Sequence, residues 1–204
     1  VASLVPRSAH SEKRATVESA VLAATEGLLS EGRAFADLRV EEIAKRAGLS
    51  RTAFYFYFRG KRELLMRLTE GVAEILYGEA ETWFGEPADG EAALREALAR
   101  VLVVWNQHGV LLRAVVEASA YDEAIAAFWR AIMSRFVDAS RARIEADAVP
   151  VPAEPTAFAL CWGTERACYQ WLVEGNDFSD PRLLDGIVAM WTRTLYAGVP
   201  SPAR

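Results

Sequence analysis

Histidine and cysteine are scarce in this chain, with two of each among 204 residues. Neither CxxC nor HExxH occurs, so the spacings by which chains commonly hold zinc are missing and no metal is expected. Cys161 and Cys168 lie seven positions apart on what reads as one helix. That separates them by roughly 10 Å along the axis, too far for a mutual disulfide or for chelation by the pair alone. Both read as core thiols. His10 falls in the first ten residues, and His108 stands near the end of a helix, where the dipole favours a cation. No nucleophile with a recognisable base partner accompanies them, so an enzyme is not expected. Glycine-rich phosphate loops, internal repeats and low-complexity tracts are missing as well, and no cofactor is expected. Apolar runs fall short of the ~20 residues that span a bilayer, which points to a cytoplasmic protein without a membrane partner.

Acidic residues are missing from one stretch in particular. Between Glu42 and Glu63 there are none, whereas Lys45, Arg46, Arg51, Arg59, Lys61 and Arg62 are all basic. Residues 1–62 carry 11 Lys and Arg against 7 Asp and Glu, and residues 63–204 carry 12 against 21, so the formal net charge of −5 hides a head of +4. Charge asymmetry of this kind suggests a nucleic-acid-binding end. The plainer alternative is a solvated face with a chance cluster. Turn chemistry decides between them. Val40, Ile43, Ala44 and Ala47 recur at helical spacing, Gly48 supplies the positive φ that ends a helix, and Leu49 is the apolar residue that usually follows. Ser50 then offers its hydroxyl to the free amide of Thr52 or Ala53 and starts a second helix two residues later. Helices joined so tightly cross steeply. Phe54 to Phe58 has strand propensity, but the two residues are an i,i+4 pair and the Ser50 cap favours helix.

The remainder reads as helices with no convincing strand. Val17, Ala20, Val21, Ala24 and Leu28 stripe a first helix closed by Gly32. A fourth begins near Lys61, runs to about Phe84 and should join head to body. Leu94 to Trp105 stripe the next, which ends at Gly109, and a shorter helix carries Val115 and Val116. Another starts near Asp122. Pro150, Pro152 and Pro155 break the chain, with Pro155 suited to a first helical turn. The last helix starts at Asp180-Pro181, cap followed by proline, and runs to Gly198. All six tryptophans lie outside the head. Each could simply fill a helical core or a subunit interface. The Glu165-Arg166 pair, in an otherwise apolar helix, reads as an internal ion pair or interface contact.

The run Leu38–Leu65 resembles the helix-turn-helix signature of the TetR family of transcriptional regulators. The matching residues are Ile43-Ala44, Ala47-Gly48-Leu49-Ser50, Phe54-Tyr55, Tyr57-Phe58, and Lys61 followed by Glu63 and Leu64. Within the family the likeness is greatest to a mycobacterial repressor, through FYFYF, Thr164-Glu165-Arg166, and Leu183-Leu184-Asp185 to Trp191 and Tyr196, covering residues 12 to 198. Two positions depart from the family pattern. Arg39 replaces the usual Ser or Thr cap, leaving Asp37 as a substitute, and Gly60 replaces a Ser.

The resemblance implies an all-α fold of about nine helices, with an N-terminal helix-turn-helix head at 11–60 on a ligand-binding and dimerisation body at 61–198. Residues 1–10, whose LVPR resembles a protease site beside an expression tag, would be a tag remnant or disordered arm, and 199–204 a tail. It implies a homodimer that binds double-stranded operator DNA and a hydrophobic small-molecule effector. Arg51 and Thr52 suit base edges, while Tyr55, Tyr57 and Lys61 suit phosphates, with Lys45, Arg46 and Ser50 beside them. Carried over by position, Trp105, Trp129, Met133, Phe136, Tyr169 and Trp191 would wall the ligand cavity, with Cys161 and Thr164 as polar contacts where the relative has asparagines. Trp171, Leu184, Ile187 and Leu195 would face the second subunit. The competing readings are a helical small-molecule-binding or interaction protein without regulatory DNA binding, and an enzyme acting on a hydrophobic substrate.

Overall fold

A computed structural model of the chain describes residues 7–85, 89–175 and 179–196. The described residues form eight α-helices and one 3-10 turn, with no strand: α1 (Arg7–Ser30), the turn Phe35–Asp37, α2 (Val40–Arg46), α3 (Arg51–Tyr57), α4 (Lys61–Phe84), α5 (Gly90–Ala118), α6 (Glu123–Ala146), α7 (Ala153–Glu174) and α8 (Asp180–Leu195). The described residues fall into two compact units, those within Val1–Gly71 and Val110–Ala126, and those within Val72–Gly109 and Ala127–Arg204.

The first unit is built on helix ends that the local sequence specifies. Gly48 takes φ +71°, and the amides of Gly48 and Leu49 return to the carbonyls of Lys45 and Ala44 at 3.2 and 2.8 Å. These two bonds satisfy the last carbonyls of α2 and turn the chain sharply. Ser50 Oγ then accepts the Ala53 amide at 3.0 Å and opens α3. Arg39 has no side-chain acceptor, and Asp37 does not replace it. Glu42 reaches back instead, its carboxylate accepting the Arg39 amide at 3.0 Å. Gly60 is compensated in the same way, since Glu63 accepts the Arg59 amide at 2.8 Å. Phe54 and Phe58 are fully buried with ring centroids 5.2 Å apart, which makes them core residues of the head beside Val21, Ile43, Leu64 and Leu65.

Several boundaries differ from the sequence expectation. The backbone is non-helical at His108 (φ −117°, ψ 16°), one residue before Gly109, so the two helices expected on either side of that glycine are the two halves of the kinked α5, counted together among the eight. A Cβ on Gly109 would lie 2.8 Å from a Leu172 methyl, so the glycine also admits a close approach of α7. Ser179, not Asp180, is the N-terminal flanking residue of α8, and the Asp180 carboxylate accepts the Asn106 amide at 2.8 Å. Residues 7–10, expected in an unstructured arm or tag remnant, belong to α1. The expected end of the last helix at Gly198 and the tail at 199–204 lie outside the described residues.

Gly48→Ala should therefore cost about 1–2 kcal/mol in chemical denaturation, because the left-handed conformation is strained for any residue with a Cβ. Gly60→Ala, where φ is ordinary and nothing lies within 4 Å of an added Cβ, should leave stability unchanged or slightly raised. Equal effects at the two positions would show that the turn does not depend on the positive φ.

Candidate nucleic-acid interface and apolar cavity

The 3.6-residue period of α3 turns Phe54 inward and leaves Arg51, Thr52, Tyr55 and Phe56 exposed. Phe56 is 72% exposed, and its ring meets Tyr57 edge-on at 5.2 Å. Sequence reasoning left Phe56 out of the site, although its spacing of four from Thr52 places it on the same face. Arg51 lies 2.8 Å from Glu41 and 5.8 Å above the Tyr55 ring, so its guanidinium is held at the start of α3. Arg46 is paired with Glu31 of α1, whereas Lys45 is exposed and has no ion pair among the described residues. Ser50 is committed as a cap through its acceptor lone pair, and Tyr57 is half-buried.

Lys61 sits apart from this face. Its ammonium donates to the carbonyls of Phe35 and Ala36 at 3.1 and 2.6 Å and lies over the Phe35 ring. Burial draws its pKa below the usual lysine value. Two of its three N–H donors thus tie the start of α4 to the 3-10 turn, leaving one for any other acceptor. Arg62 closes the same region with a 2.7 Å bond to Asp122, whose carboxylate also accepts the first amides of α6. The Arg62 bond holds the Asp122 carboxyl below its ordinary pKa.

The second unit contains an apolar cavity of about 90 Å³. Seven of the eight residues expected to line it do so: Trp105, Trp129, Met133, Phe136, Cys161, Thr164 and Trp191. Tyr169 does not; its ring packs under the Arg166 guanidinium at 4.8 Å. The two polar contacts expected from sequence are already engaged within the protein. Thr164 Oγ1 accepts the Trp191 indole N–H at 2.8 Å and donates to the Leu160 carbonyl, and Cys161 Sγ lies 3.4 Å from Ser140 Oγ. Burial pushes the Cys161 and Cys168 thiols up to about 11 and about 12, so both are inert core thiols. Glu165, expected in an internal ion pair or interface, keeps a long ion pair with Arg166 at 3.9 Å and also lines the cavity.

On α7 and α8, Trp171 and Leu184 are half-buried. Ile187 and Leu195, expected at a subunit interface, are only 5% and 3% exposed within one chain and belong to its own core. The amphipathic period of α8 turns them inward with Leu183, Val188 and Trp191. The large apolar side chains left exposed on these helices are Phe158, Val173 and Met190. Among the described residues no helix is long and apolar enough to cross a membrane, and no group of three or more potential metal ligands occurs.

Comparison with known proteins accounts for both regions. Residues 21–68 match the family described as bacterial regulatory proteins, tetR family, and residues 94–197 match the C-terminal domain of transcriptional regulator EthR. The HTH-type transcriptional regulator EthR of Mycobacterium tuberculosis is 32% identical over 188 residues, covering 88% of this chain and 87% of that protein. Among solved structures, a TetR-family regulator from Syntrophomonas wolfei superposes with a TM-score of 0.73 at 16% identity, over 94% of this chain and all of that one. AibR, in complex with isovaleryl coenzyme A and operator DNA, gives 0.65 at 16% identity over 86% of this chain and 97% of its own.

Thr164→Val should cost about 1–3 kcal/mol in urea unfolding, because it strands the buried Trp191 indole N–H. Thr164→Ser should retain most of the stability. A valine variant as stable as the parent would mean that this bond contributes nothing.

Proposed function

This chain belongs to the TetR family of transcriptional regulators, and on that premise we propose that it is a ligand-responsive repressor binding a palindromic operator as a homodimer. The observation that carries the reading is the make-up of α4. It starts at Lys61, which braces the head, and ends in Leu76, Ala80, Trp83 and Phe84 of the cavity wall. A molecule entering the cavity acts on one end of a helix whose other end sets the head. The AibR complex, which holds a small molecule and operator DNA together, supports a regulator of this fold binding both. An effector shifts operator affinity only by its differential affinity for two states, typically ~1–3 kcal/mol, or about 5- to 150-fold.

In this reading the head, residues 11–60, reads DNA and the body, residues 61–198, binds effector and pairs subunits in the cytoplasm. Helix α3 enters the major groove with Arg51 on a guanine edge and Thr52 beside it. Lys45, Arg46, Ser50, Tyr55, Tyr57 and the remaining Lys61 donor face phosphates, and Phe56 is placed to meet a thymine methyl. Arg51→Ala should cost ~1–3 kcal/mol at one operator position, whereas Lys45→Ala should weaken all sequences alike and lower the salt slope by about one. Titrating both variants against operator mutants, once an operator is selected from random duplexes, tests this. Equal, sequence-independent losses would remove Arg51 from base reading, and selection that enriches no duplex would favour an interaction protein.

Two heads about one helical turn apart, ~34–36 Å, require two subunits. We place the pairing face on the outer sides of α7 and α8, where Phe158 and Met190 are exposed and Trp171 and Leu184 are half-buried. Sedimentation at micromolar concentration should give a dimer, and Phe158→Glu with Met190→Glu should give a folded monomer with weaker operator binding. A parent protein that sediments as a monomer, with or without DNA, would overturn the pairing.

A further inference from the structure

The polar atoms of the cavity separate into those satisfied by the protein and those that are not. The Trp83 and Trp191 indoles donate to Tyr196 and Thr164 at 3.0 and 2.8 Å. Trp129 Nε1 and both carboxylate oxygens of Glu165 line or adjoin the same space and are buried without any hydrogen-bond partner. Glu165 is 3% exposed. The cation beside it in sequence, Arg166, holds its Nε 3.9 Å from the carboxylate and does not satisfy it, because its side chain is 55% exposed and its guanidinium lies over Tyr169. A buried carboxylate with no hydrogen bond and a single long ion pair, in an apolar, tryptophan-walled space, is costly, and native proteins seldom retain one without a use.

Building on the effector-cavity reading, we propose that the effector is a hydrophobic amine, an apolar body whose protonated nitrogen bonds Glu165 while a second, acceptor atom meets the Trp129 indole N–H. The ammonium satisfies the carboxylate as donor and as counter-charge, and the faces of Trp105, Trp129 and Trp191 suit a cation better than an anion. A carboxylate effector would meet Glu165 with like charge. Burial raises the Glu165 pKa, and a bound ammonium opposes that shift by stabilising the ionised form.

Three probes on one skeleton test the proposal on the 204-residue chain: 4-phenylbutylamine, 4-phenylbutan-1-ol and 4-phenylbutanoate, followed by tryptophan fluorescence and calorimetry near neutral pH. The amine should bind about tenfold or more tighter than the alcohol, as expected for a charge-assisted bond in a desolvated site, with the acid weakest. Glu165→Gln should abolish the preference for amine while leaving the affinity for alcohol within about threefold. The inference is overturned by an alcohol or acid that binds as well as the amine, or by an amine preference that survives in the glutamine variant. Should that variant not fold, the ranking of the three probes on the parent protein still decides. Binding of none of the three overturns the effector-cavity reading itself, whereas equal binding of all three leaves that reading standing and removes only the amine.

Discussion

Everything in this molecule hangs on one uninterrupted helix. Helix α4 runs 24 residues from Lys61 to Phe84 without a break, a rod of about 36 Å at the usual rise. Its first turns bury Leu64, Leu65 and Leu68 in the first unit, and its later turns bury Leu76, Ala80 and Trp83 in the second. The starting end is fixed three times: Lys61 holds the carbonyls of the 3-10 turn, Arg62 bonds Asp122, and Glu63 accepts the Arg59 amide. The coupling between effector and DNA proposed above rests on the continuity of this helix.

The cavity shows the complementary economy. Protein interiors are close-packed, so a cavity of about 90 Å³ lined by four tryptophans and Glu165 is a standing loss of dispersion contacts and of polar satisfaction. The protein limits the loss where it can, by pairing Trp191 with Thr164 and Trp83 with Tyr196. It leaves the Glu165 carboxylate and the Trp129 N–H without a hydrogen bond. In the amine reading proposed above these two groups give the cavity its chemical selectivity, since an apolar wall accepts many molecules and only a donor-bearing one relieves the carboxylate.

The parts legible in the sequence are those whose physics is local. Gly48, Leu49 and Ser50 announce the turn because a positive φ, an apolar follower and a hydroxyl cap each require particular residues. The stripe on α4 locates both its ends for the same reason. What was not legible depends on partners distant in sequence. Gly109 reads as a helix stop, and the close approach of Leu172 that it also admits does not show in the sequence. Ile187 and Leu195 look like interface residues because an apolar face does not say which neighbour covers it. Glu165 reads as half of an ion pair, and the structure keeps that pair at 3.9 Å while placing the carboxylate in the cavity wall and the Arg166 guanidinium over Tyr169. Tyr169 is outside the cavity lining through the same contact. Thr164 lines the cavity, but its hydroxyl serves Trp191, which depends on a partner distant in sequence.

The head's charge follows a similar logic. The stretch between Glu42 and Glu63 is free of acids in sequence and not in space, because Glu31 and Glu41 from outside it reach Arg46 and Arg51. Exposed pairs of this kind contribute little to stability, so their physical effect is positional: they hold extended guanidinium groups in place before any partner arrives. Phosphate or a guanine edge can replace a carboxylate with similar bidentate geometry. In the DNA-reading role proposed above, Arg46 and Arg51 exchange one ion pair for another on binding. The same exchange makes affinity depend on salt through the net phosphates neutralised. Lys45, which has no carboxylate partner among the described residues, contributes to that balance without a pair to break.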